Sequence, residues 1–172
     1  KLPCPAGAFC PYGSAAPQLC PAGSFSNATG LDSADDCQMC IVGHFCVSGS
    51  SEATQCPAGR FGAAEGLTNA ACSGACAAGH YCLARSTSNT SNACSDGTFN
   101  LLEGGASADA CQPCSNSECG DNLYRRGECT TVFDGYTCHA CDNLLCPLDQ
   151  VRIGSCNGTI NGFSCRNCTN LV

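Results

Sequence analysis

The pattern C-x-x-G-x-[FY] returns six times, as CPAGAF at Cys4, CPAGSF at Cys20, CIVGHF at Cys40, CPAGRF at Cys56, CAAGHY at Cys76 and CSDGTF at Cys94. Successive starts lie 16, 20, 16, 20 and 18 residues apart, so short and long spacings alternate and two copies make one repeat of about 36 residues. Cys20, Cys37, Cys40 and Cys46 thereby align with Cys56, Cys72, Cys76 and Cys82, and a third repeat runs from Cys94 to Cys111 and Cys114. Few folds can carry this density of cysteine, 21 in 172 residues. The apolar fraction of 44% comes largely from Cys and Ala, with no Trp and seven Phe, so the chain lacks the residues for one large core. Chains that cannot bury enough apolar surface rely on disulfides or metal instead.

Beyond Cys114 the period shortens to 27. GECTTVFDGYTCHACDNLLC (127 to 146) aligns with GSCNGTINGFSCRNCTNLV (154 to 172), matching Cys129, Cys138 and Cys141 with Cys156, Cys165 and Cys168. Asp134-Gly135 and Asn161-Gly162 fall at equivalent places, and such pairs favour tight hairpin turns. Gly, Ser, Asn and Pro punctuate the whole chain without sustained helical periodicity. The expected fold is small and disulfide-rich: elongated tandem cysteine-rich repeats with short β-ribbons and little helix. A soft boundary separates 1–113, with repeats of about 36 residues, from 114–172, with 27-residue repeats. In the first region the Gly of each motif turns the backbone sharply after the Cys. The aromatics Phe9, Phe25, Phe45, Phe61, Tyr81 and Phe99 are expected to supply one small apolar patch per turn rather than a ligand site.

Disulfides suit this cysteine usage better than metal, and they place the chain in an oxidising compartment, secreted or at the cell surface. Four sequons agree, at Asn27, Asn89, Asn157 and Asn167, making covalent N-glycans expected partners. O-linked sugar is a further expectation for LARSTSNTSNA (83 to 93). The net charge of −7 with unclustered basic residues argues against nucleic acid or an anionic membrane as partner. No apolar run approaches the ~20 residues of a spanning helix.

The C-x-x-C pairs Cys37/Cys40, Cys111/Cys114, Cys138/Cys141 and Cys165/Cys168 raise zinc, but each belongs to a wider repeat whose other cysteines would lose their partners. His44 and His80 occupy equivalent positions and are read as solvent-facing; His139 stands alone. Asp32, Asp35 and Asp36 lack the ligand spacing of a calcium loop and are read as solvated surface. No metal, no cofactor and no catalytic constellation is assigned: the chain is read as a non-enzyme.

CPAGSFSNATGLDSADDCQMC (20 to 40) and CPAGRFGAAEGLTNAACSGAC (56 to 76) resemble the ephrin-receptor-like cysteine-rich repeat, and are similar to the modules of tumour-necrosis-factor-receptor ectodomains. The resemblance covers residues 1 to 114; the 27-residue repeats keep the rhythm without the CPAG signature. It implies an extracellular array of the kind found in receptor ectodomains and in surface fibres such as the mastigoneme hairs of flagella. An interlaced disulfide pattern, like that of the receptor modules, would join Cys4–Cys20, Cys10–Cys37, Cys40–Cys56, Cys46–Cys72, Cys76–Cys94, Cys82–Cys111, Cys114–Cys129, Cys119–Cys138, Cys141–Cys156 and Cys146–Cys165. Pairing of neighbours, starting Cys4–Cys10, Cys20–Cys37 and Cys40–Cys46, stays open beside it. Both patterns leave Cys168 unpaired. The chain is accordingly expected to be cut from a longer array; the alternative is that Cys168 bonds another subunit.

The expected function is that of an extracellular structural glycoprotein, a disulfide-stapled rod that assembles with copies of itself into a fibre or surface appendage. The alternative is a cell-surface receptor or adhesion ectodomain that binds a protein ligand.

Overall fold

In the first region each C-x-x-G-x-[FY] motif closes the same reverse turn. Ala8 N–H donates to Pro5 O at 3.2 Å across Ala6-Gly7, and Ser24, His44, Arg60, His80 and Thr98 donate to Pro21, Ile41, Pro57, Ala77 and Ser95 in the same way. The third residue of each turn has positive φ, +76° at Gly7 and +88° at Gly23, the type II geometry that only Gly adopts at no steric cost. The two residues that follow, such as Ala8–Phe9 or Ser24–Phe25, pair antiparallel with the two residues before the next motif. The ribbon is completed by that next cysteine: Cys20 N–H donates to Gly7 O and Cys40 N–H to Gly23 O.

The computed structural model describes residues 3–142 and 144–168. Its fold is small and disulfide-rich, built from ten two-stranded ribbons, with two three-residue 3-10 turns, Ala34–Asp36 and Ala108–Ala110. The chain forms two compact units. One holds the residues up to Cys94 together with Asn100–Cys111; the other holds Ser95–Phe99 and the residues from Gln112 on. No helix among the described residues is long and apolar enough to cross a membrane.

Ten disulfides are formed, and six of the expected pairs are replaced. Cys4 bonds Cys10, Cys20 bonds Cys37, Cys40 bonds Cys46, Cys56 bonds Cys72, Cys76 bonds Cys82 and Cys94 bonds Cys111, so neighbours pair where interlacing was expected. Local geometry accounts for this. In the short motifs the second cysteine directly follows the aromatic, and the tight turn brings its Cα within 5.7–5.9 Å of the first, inside the range a disulfide spans. In the long motifs that position holds Ser26, Gly62 or Asn100. The bond is then made from the returning strand: Phe25 faces Gln38 and Phe99 faces Gln112, so Cys37 and Cys111 lie beside Ser26 and Asn100. Cys72 arrives after a loop one residue shorter and takes φ +51°. From Cys114 onward the pairs are interlaced: Cys114–Cys129, Cys119–Cys138, Cys141–Cys156 and Cys146–Cys165.

The core is the disulfides themselves. Cys20, Cys40, Cys46, Cys56, Cys76 and Cys82 are fully buried, while the motif aromatics are only half-buried.

Main-chain bonds join each turn to the next. Gly7 N–H donates to Ser26 O (2.8 Å), Cys10 N–H to Leu31 O (2.9 Å), and Gly30 N–H returns to Cys4 O (2.8 Å). The same triple, shifted along the chain, links the second turn to the third, and so on to the sixth; the returning donors are Gly49, Gly66, Arg85 and Gly104. Every returning residue has positive φ, from +69° at Arg85 to +83° at Gly30.

Gly7, Gly23, Gly43 and Gly59 each also abut the returning residue two turns on. A Cβ at Gly23 would sit 2.5 Å from Gly66 O, and one at Gly59 would sit 2.6 Å from Gly104 O. Gly23→Ala therefore combines a left-handed backbone with a clash against main chain that is itself bonded to Cys40 O. Gly30 shares the left-handed φ but has open space at its Cβ position. Gly30→Ala is expected to cost about 1 kcal/mol and Gly23→Ala roughly 3 kcal/mol or more. Equilibrium denaturation of the oxidised protein measures both, and equal losses would contradict the packing described.

Candidate functional site: a repeated docking edge

Three groups of each receiving turn make up the docking edge. They are the carbonyl of the residue after the aromatic, the N–H of the positive-φ residue, and the carbonyl of the residue that follows it. In the third turn these are Cys46 O, Gly49 N–H and Ser50 O, which meet Gly23 N–H, Cys20 O and Ser26 N–H. In the fifth they are Cys82 O, Arg85 N–H and Ser86 O, which meet Gly59 N–H, Cys56 O and Gly62 N–H. The triple itself is entirely main chain, supplemented in the third turn by Ser48 Oγ donating to Cys20 O at 3.2 Å, so the edge accommodates Gly, Ser, Cys or Asn at the residue after the aromatic. Bonds of this kind contribute roughly 0.5–1.5 kcal/mol each, and their worth lies in repetition.

The loop that carries the edge holds its shape by local bonds. Ser50 N–H donates to Val47 O, and Ser86 N–H to Leu83 O. The hydroxyls of Ser50 and Ser86 bond the same two carbonyls, each at 2.7 Å. In the longer loop of the second motif, Ser33 caps Ala34–Asp36: its Oγ accepts from Asp35 N–H, while Asp36 accepts from Ser33 N–H at 3.1 Å. Asp32, Asp35 and Asp36 are all exposed, and Asp36 in addition caps this turn. The histidines depart from expectation as well. His44 is buried, with Nδ1 3.1 Å from Val42 O, and His80 is half-buried with Nδ1 3.0 Å from Ala78 O. Each ring packs over its own turn instead of facing solvent.

The second unit uses a different lock. Its repeat begins earlier than the aligned stretches suggest, because Leu123–Arg126 pairs with Thr137–Ala140 and Gln150–Ile153 with Ser164–Asn167. In each repeat this ribbon and the shorter one, Cys129–Thr130 with Phe133–Asp134 or Cys156–Asn157 with Ile160–Asn161, form a single hairpin. The hairpin turns therefore fall at Thr131-Val132 and Gly158-Thr159, not at Asp134-Gly135 and Asn161-Gly162. Gly135 is needed for a different reason: it faces Gly127, whose φ is +90° and whose Cβ, if present, would collide with Gly135 O. Asp134 and Asn161 accept from Ser115 N–H and Asp142 N–H, both at 2.9 Å.

Arg125 lies 4.1 Å from the Tyr136 ring centre and donates to Ser117 O; Arg152 lies 4.2 Å from Phe163 and donates to Leu144 O. The sequence held a signal for this clamp, since LYRRGEC and QVRIGSC keep an Arg two residues before the Gly at the same 27-residue offset. Arg125 N–H also donates to Gly158 O, joining the first repeat to the second.

Asn27, Asn89, Asn157 and Asn167 all lie on the surface. Asn167 accepts a side-chain bond from Gln150 at 3.1 Å. Cys168 is exposed and has no disulfide partner. Asn27 and Asn89 lie in different turns of the first unit, and Asn157, Asn167 and Cys168 lie in the last repeat of the second. No protein-family model matches the chain, and no curated protein matches its sequence.

The Arg–aromatic clamp is testable by a double-mutant cycle of Arg152→Met and Phe163→Leu. A coupling of about 0.5–1 kcal/mol is expected. Strictly additive losses would mean that the stacking contributes nothing.

Proposed function

We propose that this chain is an extracellular structural glycoprotein whose cysteine-rich turns stack within the chain and between chains, so that copies assemble into a fibre or surface appendage. The observation that carries this reading is the docking edge: one main-chain triple used five times between successive turns, with almost no demand on side chains. An interface that repeats within a chain can be continued by a second chain. A contact between unlike surfaces whose rotation does not close on itself generates an open filament. Ten disulfides support an oxidising, extracellular setting. The exposed sequon asparagines support N-glycans at Asn27, Asn89, Asn157 and Asn167, where sugar would keep an assembling chain soluble and shield its thin core. The resemblance to ephrin-receptor-like repeats supports the same setting, and the role proposed is structural rather than catalytic.

The exposed Tyr12, Leu145 and Leu148 favour a second reading, an ectodomain that binds a protein ligand through apolar contacts. Light scattering on the purified, unreduced protein separates the two. Assembly predicts a mass rising with concentration far above 17.4 kDa after glycan is accounted for. A monodisperse monomer at every concentration would contradict assembly and leave the ectodomain.

A further inference from the structure

Two Asn-Gly pairs, Asn157-Gly158 and Asn161-Gly162, lie in the second hairpin of the second unit. In such a pair the following main-chain nitrogen attacks the side-chain carboxamide most readily, because glycine carries no side chain to hinder it. The fold treats the two pairs oppositely. Asn161 is held at both atoms of its amide: Oδ1 accepts from Asp142 N–H at 2.9 Å, and Nδ2 donates to an Asp142 carboxylate oxygen at 2.7 Å. The nitrogen that would attack it is engaged too, since Gly162 N–H donates to Ser155 O at 3.0 Å. The equivalent pair one repeat earlier is locked likewise, with Gly135 N–H on Glu128 O and Asp134 on Ser115 N–H. Asn157 has none of this. It ends the strand Cys156–Asn157 at the edge of the two-residue turn and is exposed. Among the described residues neither its carboxamide nor Gly158 N–H has a hydrogen-bond partner.

We propose that Asn157 is a succinimide-forming site whose conversion releases the joint between the two hairpins of the second unit. Gly158 N loses its proton and bonds to Asn157 Cγ, the Cγ–Nδ2 bond breaks, and Nδ2 leaves as ammonia. Solvent water then opens the ring at either carbonyl. One product is Asp; the other is isoaspartate, in which the main chain runs through Cβ and Cγ. The place matters because Gly158 O accepts Arg125 N–H at 2.6 Å, a main-chain bond that ties the first hairpin to the second. The tip also packs against Leu123–Arg126. Isoaspartate adds a methylene to the main chain directly before Gly158, whose φ of +52° belongs to the tight turn. The pairing of Asn157 with Ile160 then loses its register, and Gly158 O moves off Arg125. On the glycoprotein reading, Nδ2 is also the atom that carries the sugar. A glycan there turns the departing ammonia into a bulky glycosylamine and closes the route, while deamidation erases the sequon. Sugar at Asn157 protects the joint.

Thr159→Val removes the sequon and leaves both Asn-Gly pairs in place. The variant, secreted with its disulfides formed, is held at mildly alkaline pH, then digested and mapped by mass spectrometry. Asn157 is expected to convert to Asp and isoaspartate roughly tenfold or more faster than Asn161, and the two should convert at similar rates once the disulfides are reduced. Parent chain glycosylated at Asn157 should show no conversion there. In the isoaspartate fraction the Arg125 amide should exchange roughly tenfold faster than in unconverted protein, whereas Asn157→Asp, with an ordinary main chain, should leave it protected. Should Thr159→Val not fold, parent chain secreted by a host without N-glycosylation serves the same measurement. Equal rates at Asn157 and Asn161 in the oxidised protein, or no conversion at Asn157, would overturn the site. Isoaspartate with an unchanged Arg125 amide would overturn its link to the joint. A parent chain from a glycosylating host that carries no sugar at Asn157 would overturn the protection alone.

Discussion

Everything in the first unit depends on a backbone amide held in a left-handed turn. The C-x-x-G turn points the glycine N–H at the next turn, and a second positive-φ residue points its own N–H back at the motif cysteine. Both amides must be presented outward from a tight bend, which is why glycine recurs at both places. Arg85 is the exception at the returning position; it keeps the bond to Cys56 O at φ +69°. A left-handed backbone of this kind costs a non-glycine residue roughly 1–2 kcal/mol.

Disulfides and main-chain bonds divide the work. The disulfides fill the space that apolar side chains fill in ordinary domains, and they close loops of 6, 16 or 17 residues that would otherwise be too small to stay folded. They act within a motif. Communication between motifs falls to the main chain, so the array can change its side chains freely while keeping its step. The second unit solves the same problem differently, with longer hairpins pinched at Gly127 and Gly154, interlaced disulfides, and an arginine laid over an aromatic ring.

The motif spacing alone made the six turns, their short ribbons and the scarcity of helix legible, because a cysteine, a positive-φ glycine and an aromatic at fixed offsets leave the backbone little choice. Disulfide partners were not legible in the same way. Whether Cys20 reaches Cys37 or Cys4 depends on which strand returns beside Ser26, and that register is set by pairing across the loop. The returning glycines were visible as G-L at 30–31 and 66–67, but their meaning lies in bonds made to a different turn. The burial of His44 likewise follows from the turn folding over its own carbonyl, which composition does not reveal. Asp134-Gly135 misleads for a related reason: the pair is glycine-bearing because Gly127 approaches it, not because the chain reverses there.

Native-state hydrogen exchange on the oxidised protein, at a concentration where it is monomeric, tests the main-chain step most directly. The amides of Gly23, Gly43, Gly59 and Gly79, which bond successive turns, should exchange orders of magnitude more slowly than that of Gly13, which has no partner among the described residues. Exchange of the Gly43 amide as fast as that of Gly13 would mean that the turns are held by their disulfides alone, and the repeated docking edge would not exist in solution.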